Sequence, residues 1–255
     1  MIRKYAFLLL IFIPLNCCYG QLIVSDSANF DMKASIGGSL NDGNFQRLGI
    51  TSNADIAFNT NEGKFGFVNH SQYNYTKTFG AVAENDVLTR TIFYTKFKKN
   101  WYALFVFWFE TNKLRQLQPL LQIGPSLQYA WLSEKENSGA FSLGTTYEHK
   151  HYKSSIFKEP RYNHNKNINI ARFFARLHGK NQIGISKIAL TYDIYFMPSF
   201  EYYKNYRIHS EMTFEVPISK NFSLHAGMNY NYESIVISGV KPTDFFTEYG
   251  LSINF

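Results

Sequence analysis

A chain of 255 residues with 26 basic against 19 acidic side chains is mildly basic, and its positive residues are scattered rather than striped, which argues against a nucleic-acid surface. Aromatic residues make up 18% of the sequence, mostly Phe and Tyr, yet beyond Gln21 no apolar run approaches the ~20 residues that a membrane-spanning helix needs. Both cysteines, Cys17 and Cys18, lie near the amino terminus, so a chain trimmed there has no thiol for a disulfide framework or a cysteine metal site.

Arg3 and Lys4 precede an apolar run from Tyr5 to Leu15, and the segment then ends on the small residue Gly20. Charged, apolar and cleavage regions in that order make a secretory signal. Cleavage is expected after Gly20, leaving residues 21–255 as one domain. The rival lipoprotein signal lacks the small residue that should precede Cys17 or Cys18.

Past the leader the chain alternates. Phe30, Met32, Ala34, Ile36, Gly38 and Leu40 interleave with Asp31, Lys33, Ser35, Gly37 and Ser39, the period-two pattern of a strand with one wet face. Asp42-Gly43-Asn44 is a hairpin signal, because these residues readily supply positive φ. A second strand, Arg47 to Phe58, again has a continuous polar face, with charges that a soluble sandwich core would reject. The same pattern predicts strands over Lys64 to Thr76, Asp86 to Lys98 and Trp101 to Asn112. The last of these is apolar on both faces, as in buried core or in a barrel strand whose lumen side is plugged. Strands follow near Leu121 to Trp131 and Ser138 to Tyr152, and then a long loop from Lys153 to Asn167. Ala171 to His178, Gln182 to Pro198, Tyr206 to Ser219, Phe222 to Ile235 and the terminal FTEYGLSINF complete about twelve strands, an even number, as single-chain bacterial barrels require.

Tight connections are expected near Asn59 to Gly63, Lys99-Asn100, Glu134 to Asn137, Lys180-Asn181 and Lys220-Asn221, with longer ones between them. Phe58, Phe65, Phe97, Trp101, Trp131, Phe141, Phe222 and Phe255 gather beside the tight set, where a barrel would form them into one interfacial girdle. The pattern predicts an all-β fold, a single antiparallel up-and-down transmembrane barrel. Its partners would be outer-membrane lipid and lipopolysaccharide. Phe255, an aromatic carboxy-terminal residue, would present the last strand to the barrel-assembly machinery, and a monomer without a cofactor is expected.

KPTDFFTEYGLSINF, with Asp244 before the strand and Gly250-Leu251 near its end, and the early Asp42-Gly43-Asn44 turn resemble the YdiY-like family of salt-induced outer-membrane proteins. The usual Ser before the Gly-Asn turn is Asp42 here. The resemblance implies a membrane-embedded barrel and brings no catalytic residues to carry over.

For function, the inward face matters most. Arg47, Asp55, Arg90, Glu148, Arg172, Arg176, Glu211, Glu215 and Glu248 are expected to line the lumen, where mixed signs would either close the bore with cross-barrel ion pairs or form a selective constriction. Trp108, Phe174 and Tyr195 would fill much of the remaining space, favouring a plugged or narrow pore. The alternative is a barrel-embedded lipid or lipopolysaccharide acyl hydrolase. Its Asn69-His70-Ser71 and His209-Ser210-Glu211 stretches place each His and adjacent Ser on opposite faces. His149 and His151 share a face and with His164 have spacing suited to a metal, whereas Tyr147, Lys150 and Lys153 around them read as residues at a membrane boundary. Lys153, Lys158, Arg161 and Lys166 in the long loop suit lipopolysaccharide phosphates.

Overall fold

The computed structural model describes residues 30–41, 47–60, 64–134, 137–183 and 188–254. The expected leader, the expected turn at Asp42-Gly43-Asn44 and Phe255 lie outside the described residues.

Twelve strands follow one another: β1 (Phe30–Asn41), β2 (Arg47–Thr60), β3 (Phe65–Thr78), β4 (Ala81–Lys98), β5 (Trp101–Asn112), β6 (Leu117–Ser133), β7 (Ser138–Tyr152), β8 (Asn167–Ile183), β9 (Ile188–Pro198), β10 (Tyr206–Pro217), β11 (Phe222–Glu233) and β12 (Thr243–Asn254). Each pairs antiparallel with its sequence neighbour, and β12 returns to β1, so the sheet closes on itself. Closure satisfies the backbone along most of the wall, which hydrocarbon requires.

Alternation sets the two faces. On β6, Leu127 points outward at 52% exposure while the next residue, Gln128, points inward at 4%. Phe105, Leu143, Phe196, Leu224 and Tyr249 continue the apolar outer wall on other strands. One stretch departs from it: Asn69, Ser71, Thr89 and Thr91 lie on the outer face of β3 and β4, where they bond to one another at 2.8–3.0 Å. Their polar atoms are satisfied within the patch, which lowers the cost of placing them on an apolar wall.

The two-faced apolar strand β5 plugs the lumen. Tyr102, Leu104, Val106 and Trp108 point in and are buried, while Phe105 points out. Val68, Ile92 and Tyr94 pack with them inside the barrel.

The carboxy-terminal ends of β2, β4, β6, β8 and β10 meet at one rim, and Phe65, Phe97, Trp101, Trp131 and Phe141 stand exposed near it. The opposite rim carries the longest loops. There residues 153–166, with a single turn of 3-10 helix at Pro160–Tyr162, meet residues 234–242 through a Phe157–Ile237 bridge. Phe157 packs edge-on against Tyr152 at 5.1 Å, and Ile235 and Ile237 are buried beside it, so these loops cover part of the mouth.

Two connections differ from expectation. Lys180 and Asn181 have turn-like composition but pair with Thr191 and Leu190, so β8 continues to Ile183 and β9 begins at Ile188. The gap read between Thr76 and Asp86 is instead a two-residue hairpin at Phe79 and Gly80, with φ of 47° and 80°. A bulge between Thr76 and Lys77 shifts the register there and breaks the alternation that would have revealed the strand.

Candidate functional site

Asp55, Arg90, Glu148, Arg172, Arg176, Glu211, Glu215 and Glu248 stand on the inward face of their strands, and the Arg47 side chain lies outside the described residues. Arg90, Glu148, Arg172 and Arg176 are at most 2% exposed. They belong to two linked layers of ion pairs.

In the first layer, Arg90 on β4 bonds to Glu211 on β10 and lies 3.6 Å from Asp193 on β9. Asp193 accepts a two-pronged bond from Arg176 on β8, at 2.7 and 2.9 Å. The planar guanidinium fork suits this bidentate geometry. Tyr195 lies 5.5 Å from the Arg90 guanidinium and 5.2 Å from that of Arg176, and Trp108 lies 5.1 Å from Arg90. Aromatic faces therefore take up positive charge that water would otherwise solvate.

In the second layer, nearer the long loops, Glu148 on β7 accepts from Arg172 at 3.0 Å and from Arg207 on β10 at 2.7 Å. Arg207 also reaches Glu110 on β5 at 3.1 Å and lies 3.5 Å from Glu233 on β11. Lys150 joins Glu148 to Glu233, and Arg115 links Glu233 to Asp244 on β12, at 3.6 and 2.5 Å. Arg90, Arg115, Lys150, Arg172, Arg176 and Arg207 thus face Glu110, Glu148, Asp193, Glu211, Glu233 and Asp244, six cations against six carboxylates. Desolvation of so many charges is tolerable only because each has an opposite partner.

The other predicted lining residues, on β2, β10 and β12, belong to a looser polar group. Asp55 bonds to His70 at 2.6 Å, Glu215 to Lys33 at 2.5 Å, and Glu248 to Asn53 at 3.3 Å. A cavity of about 70 Å³ lies among them, and a larger one of about 640 Å³ opens toward the long-loop rim.

Several members were missed in the sequence. Lys150 reads as a membrane-boundary residue beside Tyr147 and His149, but it is buried inside against Glu233. It has the same parity as Glu148, and that was the available signal. Asp193, Arg207 and Glu233 follow the same rule on their strands.

The other candidates separate. His70 faces in toward Asp55, whereas Ser71 faces out and bonds to Asn69 and Thr89. His209 bonds to Asn231 and Glu211 inside the bore, on the face opposite to Ser210. His149 and His151 bond to Asn169 and Asn167, and among the described residues no group of three His, Cys, Asp or Glu is placed to hold a metal. A Ser–His contact not anticipated in the sequence is Ser252 Oγ to His225 Nδ1 at 2.9 Å, with Glu248 Oε1 4.0 Å from His225 Nε2.

Wall and contents together define a class: an up-and-down β-barrel of the outer-membrane type, apolar outside and charged and largely filled inside. By sequence the chain belongs to the family described as "Protein of unknown function, DUF481", matched over residues 34–255. Comparison with curated proteins gives no match. Among solved structures, the chain is similar to the NanC porin, with 9% identity, a TM-score of 0.53 and coverage of 88% of this chain and 98% of that one. The translocator domain of autotransporter NalP from Neisseria meningitidis is 13% identical with a TM-score of 0.47, over 89% of this chain and 87% of that one. At 9% identity the likeness to the NanC porin is one of fold.

Proposed function

We propose that this protein is an integral barrel of the bacterial outer membrane that keeps its bore shut or narrowly gated, serving envelope or osmotic adaptation as a YdiY-like protein rather than acting as an enzyme or an open porin. The observation that carries the reading is the lattice of six cations and six carboxylates across the bore. An open aqueous pore would solvate these side chains individually, whereas here they are buried and spent on one another. The apolar outer wall and the aromatic rim, with a leader-like amino-terminal sequence, support placement in the outer membrane. In the same reading Lys153, Lys158, Arg161 and Lys166, all exposed on the long loop, meet lipopolysaccharide phosphates, and Phe255 engages the assembly machinery of a monomeric barrel.

Planar-bilayer recording of the purified protein tests this. The expected result is little or no steady conductance in the wild type, with frequent openings once Arg90→Ala removes a cross-bore partner. Wide, steady wild-type channels would overturn it.

A second reading, a lipid or lipopolysaccharide acyl hydrolase, is favoured by the Ser252–His225–Glu248 succession, in which a hydroxyl, an imidazole and a carboxylate stand in order. Against it, Ser252 is 1% exposed, and a nucleophile must be reachable. Lipid turnover that disappears in Ser252→Ala would establish this reading in place of the first.

A further inference from the structure

The closing seam of the barrel is incomplete at the long-loop end. β1 pairs with β12 from Lys33↔Asn254 to Gly37↔Gly250, five rungs, whereas β1 pairs with β2 over its whole length and β12 with β11 from Thr243 to Ile253. Beyond the Gly37↔Gly250 rung both strands continue, to Asn41 and back to Thr243, and among the described residues no further pair joins them. Backbone groups left facing hydrocarbon are costly, and they are tolerated in a membrane only where they are buried in protein or line a water-filled cavity.

A cavity is present there. The space of about 640 Å³ at this rim is bordered on the lumen side by Asp86, Asn112, Asn231 and Glu248 and on the outer side by Ile50, Phe245 and Tyr249. It therefore includes both faces of β12 and passes through the wall. Its volume is that of a small-molecule site, which typically runs from about 300 to 1,000 Å³.

The lumen half has a sign. Glu84, Asp86, Asp244 and Glu248 border it, and among the described residues no lysine or arginine does. Asp244 is already paired with Arg115, but Glu248 is not fully satisfied. Its side chain is 10% exposed, and its Oε2 has no hydrogen-bond partner among the described residues. A buried carboxylate oxygen in that state calls for a donor. The outer half is apolar and aromatic.

We propose that β1 and β12 part at this end to form a lateral portal that binds a single-chain amphiphile with an amine headgroup, its ammonium among the lumen carboxylates at Glu248 and Asp86 and its alkyl tail crossing the seam past Phe245 and Tyr249. The acidic lining disfavours a phosphate head of the same chain length. The site adjoins the ion-pair lattice at Asp244 but takes its headgroup at Glu248 and Asp86, which are not members of that lattice.

The test uses the full barrel reconstituted in phosphatidylcholine vesicles, with spin-labelled stearylamine and a spin-labelled alkyl phosphate of equal length as probes. The motionally restricted spectral component reports binding. The amine should show a saturable component that the phosphate does not match, weakened at least tenfold by Glu248→Gln and by Asp86→Asn. Bridging Gly38→Cys to Tyr249→Cys with a short bifunctional maleimide, which closes the next rung, should abolish it. Heat-modifiable gel mobility confirms folding in each variant, and Asp86→Asn carries the test if Glu248→Gln does not fold. Equal restriction of amine and phosphate, or wild-type binding in folded carboxylate variants, would overturn the portal while leaving the closed-bore reading to its own conductance test.

Discussion

Arg90 and Glu211 stand 121 residues apart in the chain and bond directly across the lumen. Neither is near its partner until β4 and β10 occupy opposite parts of a closed sheet, and both are shielded from water. Removing one side of such a pair strands the other. Arg90→Ala should therefore destabilise the barrel by about 3–5 kcal/mol, measured by urea unfolding in detergent. Arg90→Met combined with Glu211→Leu should recover most of that loss, because an apolar pair leaves no orphaned charge.

Trp108 is 1% exposed and points inward, whereas Trp101 and Trp131 are 39% and 47% exposed on the outer wall. In vesicles of brominated lipid, wild-type fluorescence should be strongly quenched. A Trp101→Phe, Trp131→Phe double variant, which retains only Trp108, should lose most of that quenching. Equal quenching in both would mean that the faces are assigned the wrong way round.

Leu127 projects from the middle of β6 into the apolar wall. Leu127→Arg should cost about 2–4 kcal/mol in lipid vesicles, the scale for a cation at bilayer depth on a barrel exterior. The same variant in a soluble β-protein would leave that position hydrated and nearly neutral, so unfolding titrations in lipid discriminate sharply.

At the Phe79-Gly80 hairpin both residues have positive φ, a geometry that suits Gly at the second position and penalises Phe at the first. Phe79→Asn should stabilise the fold by about 1 kcal/mol, read as a higher urea midpoint, since Asn tolerates the left-handed region.

The faces of the wall were legible because a strand has a period of two: Leu127 and Gln128 could be assigned to outside and inside from sequence alone. Parity likewise placed Arg90, Glu148, Arg172 and Arg176 in the bore. It could not say which would touch. Contacts across a barrel depend on how far each strand is staggered along its neighbour, and that shift accumulates over many rungs, so no local pattern pairs Arg207 with both Glu110 and Glu148. Lys150 shows a different failure. Its histidine and tyrosine neighbours have the composition of a membrane boundary, and composition outweighed parity. The short β1–β12 seam was hidden for the same reason as the pairings, since it is a property of two chain ends meeting.

The filled lumen also constrains the order of assembly. Glu211, Glu233 and Asp244 all belong to the last three strands, whereas Arg90, Arg115 and Lys150, which they neutralise, belong to the first seven or the connections between them. A nascent sheet lacking its last three strands would leave Arg115 without its partners, Arg90 without Glu211 and Lys150 with Glu148 alone, and water would have to stay with them. The wall can grow hairpin by hairpin, but the interior can dry only when the final strands arrive.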